Sequence, residues 1–170
     1  MKKILCIILL IFCMGSMYYF TSQDGQTSYE QSHKLVEFID KIRDKVTLKN
    51  EKLIVLKDKI IEELRGYNKD YLVRKAAHFG IYACIGAFMM LIIYLFSKKV
   101  IFSASFGFIL TVIYAIYDEK RQLSISGRSS SYIDILIDST GALIAIILLS
   151  LILLSKKCFR FIFKYNEAEE

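Results

Sequence analysis

The sequence predicts an all-α integral membrane protein: four transmembrane helices in an antiparallel bundle, with an amphipathic helical hairpin in the first long loop. Three observations predict this. Apolar residues make up 55% of the chain, yet Lys and Arg outnumber Asp and Glu by six. The apolar residues gather in long uncharged blocks separated by charged ones, as membrane spans are by their loops. Proline is absent, which suits uninterrupted helices. A chain of 170 residues is expected to form one domain, residues 1–170. The basic residues lie at span ends, which fits membrane topology and not nucleic-acid binding.

The first span is expected over residues 4–20, after Lys2 and Lys3. Basic residues before an apolar run open either a signal peptide or a first membrane helix. The run is long for a signal, and no clear A-x-A site follows, so a retained helix is the reading. The loop over 21–75 starts with a polar turn. Ser28 and Gln31 then form a capping-box pattern at a helix start. Leu35, Phe38, Ile39, Ile42 and Val46 recur as one helical stripe. Leu53, Leu56, Ile60 and Leu64 make a second stripe, which Gly66 stops. The remaining spans are expected over 76–96, 100–117 and 132–155. Gly80, Gly86, Gly107 and Gly141 suit close helix contacts. Cys6, Cys13, Cys84 and Cys158 form no C-x-x-C pair and read as small buried hydrophobes. Lys2, Lys3, Lys98, Lys99, Lys156, Lys157, Arg160 and Lys164 bias the short segments, so both termini are expected in the cytoplasm of a multi-pass cell-membrane protein.

The most informative stretch is polar. Asp134 and Asp138 sit inside the last apolar run, one helical turn apart. A carboxylate at the centre of a span costs about 2.5–3.5 kcal/mol on insertion scales, so the pair needs partners. Lys75, His78 and Tyr82 share a face of the second span. Asp118 and Glu119 are expected to end the third span, with Gln122 and Arg128 in the loop 118–132. In an antiparallel arrangement all of these gather at the outer end, while the inner ends carry only topogenic Lys and Arg. Tyr82 suits an interhelical hydrogen bond. The serines at 129–131 lack a nucleophile-elbow context and read as loop.

The order Arg74-Lys75-x-x-His78-Phe79-x-x-Tyr82, Asp118-Glu119-x-x-Gln122, Gly127-Arg128 and Asp134…Asp138-x-x-Gly141 resembles the VanZ-like family of small membrane proteins. The Ser22-Gln23…Gln31-Ser32 stretch resembles that family's polar segment after its first span. The resemblance implies an integral membrane protein of a family found widely in Gram-positive bacteria, whose namesake is associated with low-level resistance to the glycopeptide teicoplanin. The chain departs from the pattern twice. Arg121 stands where a His often precedes the Gln, which weakens a two-histidine metal site, and Asp138 stands where Asn is common.

Lys75, His78, Tyr82, Asp118, Glu119, Gln122, Arg128, Asp134 and Asp138 are therefore the expected ligand-binding residues. One reading binds a lipid headgroup, a lipid-linked cell-wall precursor or a glycopeptide, with Arg128 as a planar fork for phosphate. A second is an enzyme on an amphiphilic substrate, with His78, Asp134 and Asp138 as catalytic candidates. A third is structural, the ion pairs locking helices together. Transport lacks its usual inverted-repeat signal. No cofactor and no resident metal are expected. A divalent ion among the four carboxylates belongs only to the enzyme reading.

Overall fold

The computed structural model describes residues 2–45, 54–55, 59, 68–128 and 131–166. Its helices are α1 (Lys2–Thr21), α2 (Gly25–Lys45), α3 (Lys69–Ser97), α4 (Val100–Gln122) and α5 (Tyr132–Asn166), and no strand occurs among the described residues. α1, α3, α4 and α5 are long and apolar enough to cross a membrane, so the chain is a multi-pass membrane protein. Their outward faces carry exposed Ile8, Phe12, Ile101, Ile109, Ile113, Leu136, Leu148 and Leu151, an apolar belt that water would not tolerate and lipid does. The second stripe of the expected hairpin, with Val46 and Gly66, lies outside the described residues.

α3 is the hub, packing against each of the other four helices. Met17, Tyr82, Ile85 and Ala115 form one buried cluster, and Met90, Val100 and Ile146 form another. Lys3 Nζ lies 4.1 Å from the centroid of the Phe96 ring while Met17 packs on Tyr82, so the start of α1 meets the end of α3. Small residues let the backbones approach, because lipid supplies no hydrophobic push between helices. A Cβ on Gly107 would lie 2.8 Å from Met90 N, and one on Gly86 2.8 Å from Ala142 Cβ. Gly141 faces the Phe79 carbonyl with no room for a Cβ. Gly80 is different: open space surrounds it, so it is not the helix contact its spacing suggested. Cys6 is buried and Cys13 partly so, but Cys84 is exposed, contrary to expectation.

Several boundaries move, each for a local reason. α3 starts at Lys69 and not near 76, because the Asn68 side chain accepts from Asp70 N and caps it. α4 runs through Asp118 and Glu119 to Gln122, so the polar loop is 123–131. α5 extends past 155 to Asn166. α2 starts at Gly25, where the Asp24 carboxylate accepts from Thr27 N at 2.7 Å. The capping box expected at Ser28 is replaced by that Asp cap. Among the described side chains of α2, Ser28, Ser32 and Val36 are buried, while Leu35, Phe38, Ile39 and Ile42 stay exposed. The apolar stripe is thus not the face that docks on α3.

Candidate functional site

One end of α3, α4 and α5 holds the expected polar residues. On α3, Tyr71, Arg74, Lys75 and His78 fall at spacings of three and four and share a face. Asp134 and Asp138 do the same on α5. Lys75 Nζ forms a buried ion pair with Asp134 Oδ1. One turn deeper, His78 Nδ1 stands 3.6 Å from Asp138 Oδ1, too long for a hydrogen bond, and neither atom has another partner among the described residues. Tyr82, a further turn in, is fully buried. Its hydroxyl has no partner among the described residues, so the expected interhelical hydrogen bond does not form.

Asp118 and Glu119, expected to end the span and bind ligand, are buried instead. Asp118 is buried and accepts from Thr21 Oγ1 at 2.8 Å, Arg121 Nη2 at 2.8 Å and Gln122 Nε2 at 3.2 Å. Arg121 also donates to Thr21 Oγ1, to Ser22 Oγ at 2.6 Å and to the Tyr18 carbonyl at 3.3 Å, and its guanidinium lies 4.1 Å from the Tyr18 ring centroid. The arginine at this position thus neutralises Asp118 and ties α4 to α1. Glu119 accepts from Ser131 N at 2.6 Å and Gln122 Nε2 at 3.3 Å, which fastens the loop just ahead of α5. These bonds are why charged residues continue a helix here.

Arg128 is held by protein. Its Nε donates to the Gln23 carbonyl at 2.9 Å and its Nη1 to Gln122 Oε1 at 3.0 Å. Its Nη2 donates to the Phe20 carbonyl at 2.9 Å and Ser28 Oγ at 3.0 Å. Four of the five N–H donors of a guanidinium are thereby used. The acceptors are neutral, so the charge itself has no bonded carboxylate among the described residues. Burial and the neighbouring Arg74 charge push the Arg128 pKa down, while Asp118 and Glu119 oppose them. The loop closes on α2 through a glycine pair. Gly25 N donates to the Ser126 carbonyl at 3.1 Å, Gly127 adopts φ +74°, and a Cβ on Gly25 would collide with the Gly127 carbonyl.

These elements enclose a cavity of about 260 Å³ lined by Tyr71, Arg74, Lys75, His78, Gln122, Gly127, Arg128, Ser131 and Asp134. Five of the nine expected site residues line it: Lys75, His78, Gln122, Arg128 and Asp134. Tyr82, Asp118, Glu119 and Asp138 do not. Tyr71, Arg74, Gly127 and Ser131 are the additions. Arg74 has no hydrogen bond or ion pair among the described residues, only the Tyr71 ring 5.9 Å from its guanidinium carbon. Its signal was visible in the 71–74–78 spacing. A second cavity of about 110 Å³ adjoins the first and shares Arg74, His78 and Arg128 with it. Among the described residues no three metal-ligating side chains come together, so the four carboxylates do not converge on an ion.

A family model described as VanZ/LLP1 matches residues 5–154. Neither the curated proteins nor the solved structures contain a match.

Proposed function

This chain belongs to the VanZ/LLP1 family, and we propose that its polar cavity binds the anionic headgroup of an envelope lipid or lipid-linked cell-wall precursor. The carrying observation is the charge of the lining: Arg74, Lys75 and Arg128 against one carboxylate, Asp134. Asp134 is already paired with Lys75, so Arg74 and Arg128 are the cations whose charge no bonded carboxylate offsets. Arg74 supplies the donor fork, and Arg128 adds its charge and one remaining N–H. Lys75 and Asp134 hold α3 to α5 and shape the wall. In this reading the cavity, where α3 and α5 begin and α4 ends, sits at headgroup depth. In this reading the site faces outward and both termini lie in the cytoplasm, as the basic residues at the opposite span ends favour. Teicoplanin resistance, the phenotype associated with the family's namesake, would follow from engaging an envelope lipid at that face.

The test is native mass spectrometry of the purified protein with undecaprenyl phosphate, phosphatidylglycerol and phosphatidylcholine. Wild type retains the two anionic lipids, and Arg74→Gln retains at least fivefold less of each. Equal retention by wild type and Arg74→Gln overturns the reading.

A second reading, acid–base catalysis on the same ligand, is favoured by one observation. His78 lines the cavity while its Nδ1 stands 3.6 Å from buried Asp138 Oδ1, near enough for a small ring movement to make the hydrogen bond that would orient a catalytic histidine. Loss of turnover of a bound lipid phosphate in both His78→Asn and Asp138→Asn, with lipid retention unchanged, would establish it. Absence of any turnover in wild type removes it.

A further inference from the structure

The second cavity lies against α1, α2 and α3 and is walled mainly by apolar side chains, among them Met17, Leu35, Val73, Ala77 and Ile81. Along α2 its serines are already engaged: Ser32 Oγ donates to the Ser28 carbonyl at 2.9 Å, and Ser28 Oγ accepts from Arg128 at 3.0 Å. A groove whose surface is mostly apolar, with its cationic groups gathered at the side it shares with the polar cavity, suits hydrocarbon. At its mouth stand Arg74, His78 and Arg128, which also line the polar cavity. Phe20 and Leu35, exposed on its rim, open it sideways. Each cavity alone is small. Together they reach the lower end of the roughly 300–1,000 Å³ typical of ligand sites.

We propose that this groove takes one hydrocarbon chain of the same ligand whose anionic group sits at Arg74, so that the site recognises a slender amphiphilic phosphate. This rests on the anionic-headgroup reading above. The sharing of Arg74 and Arg128 is the basis for choosing the tail as occupant: charge and apolar surface meet at those two side chains, as they do in the ligand. The serine face of α2 sets the groove's width. Small Ser28 and Ser32 seat α2 on α3, and the larger apolar residues of α2 stay clear.

The protein, in phosphatidylcholine nanodiscs, is titrated with dodecyl phosphate, inorganic phosphate and dodecanol. Wild type is expected to bind dodecyl phosphate at least tenfold more tightly than inorganic phosphate. Ala77→Leu, which adds bulk at an exposed groove position, should abolish that advantage and leave inorganic phosphate unchanged. Arg74→Gln should weaken both phosphates. A dodecyl phosphate carrying a terminal diazirine should crosslink to peptides of α1, α2 or α3 that contain Met17, Leu35 or Ile81. If Ala77→Leu keeps the tenfold advantage and labelling falls elsewhere, the tail groove is wrong while the headgroup reading stands. If dodecanol competes as well as dodecyl phosphate, the groove holds bulk lipid and the proposal is overturned. If Arg74→Gln changes neither phosphate, the headgroup reading fails and takes the tail with it.

Discussion

Removing Lys75 should cost far more than removing Lys75 and Asp134 together. Both side chains are only 11% exposed, which puts the pair in the buried regime. There, deleting one partner leaves an uncompensated charge and costs about 3–5 kcal/mol, whereas an apolar replacement of both is near neutral or stabilising. Lys75→Met keeps the unbranched stem but strands the Asp134 carboxylate between α3 and α5. Lys75→Met with Asp134→Leu removes both charges and fills similar volume. Asp134→Leu alone should cost less than Lys75→Met, since a lysine stem can carry its ammonium towards water. The coupling energy across the cycle should therefore be at least about 2 kcal/mol. The assay is unfolding of the purified protein by SDS in mixed micelles, followed by far-UV circular dichroism, which suits a helical chain without tryptophan. Single-variant costs that simply add in the double, or a Lys75→Met cost below about 1 kcal/mol, would refute the buried-latch reasoning. The exchanged variant, Lys75→Asp with Asp134→Lys, separates lock from ligand site. It should hold much of the stability, and a purely structural role predicts that it keeps full function.

Arg128→Ala should destabilise by roughly 2–4 kcal/mol in the same titration, because four hydrogen bonds from a charged donor are lost at sites where water can only partly replace them. Arg128→Lys should recover less than half of this, since an ammonium has no planar fork. A lysine variant matching wild type would show that geometry is not what Arg128 supplies. The start of α2 should loosen in acid. The Thr27 backbone N–H holds the Asp24 carboxyl below the usual carboxylate range. A carboxyl depressed in the fold contributes fully above its unfolded value of about 3.9, and that contribution fades as pH falls through the lower folded value. Amide protection at Thr27 and Ser28, relative to the intrinsic exchange rate at each pH, should therefore fall below about pH 4 in wild type, and Asp24→Asn should remove that acid-induced loss of protection. An unchanged acid response in Asp24→Asn would exclude the cap as its source.

Much of this molecule was legible before any coordinates, for one reason. Hydrocarbon penalises charge so strongly that four apolar runs mark the spans and every ionisable group within them marks a partner. Asp134 and Asp138 pointed to a cation on the facing helix, and helical spacing had already put Lys75 and His78 on a common face. The end of α4 was not legible. Asp118, Glu119 and Gln122 look like a helix leaving the membrane, and only their partners from α1 and the loop, Thr21 and Ser131, explain why the helix continues. α2 misled in the same way. Its apolar stripe is the stronger pattern, yet small Ser28 and Ser32 make the contact.

Sequence alone therefore determined the class, the spans and the end at which the polar groups collect, because those follow from transfer energies residue by residue. It also supplied the family resemblance that the matched residues bear out. Tertiary structure decided which cations are spent and which remain. Lys75 goes to Asp134, Arg121 to Asp118, and most of Arg128 to backbone and neutral side chains. Arg74, one residue and about 100° around the helix from Lys75, is left facing the cavity. Pairing depends on distances between helices, and no pattern along one helix contains them.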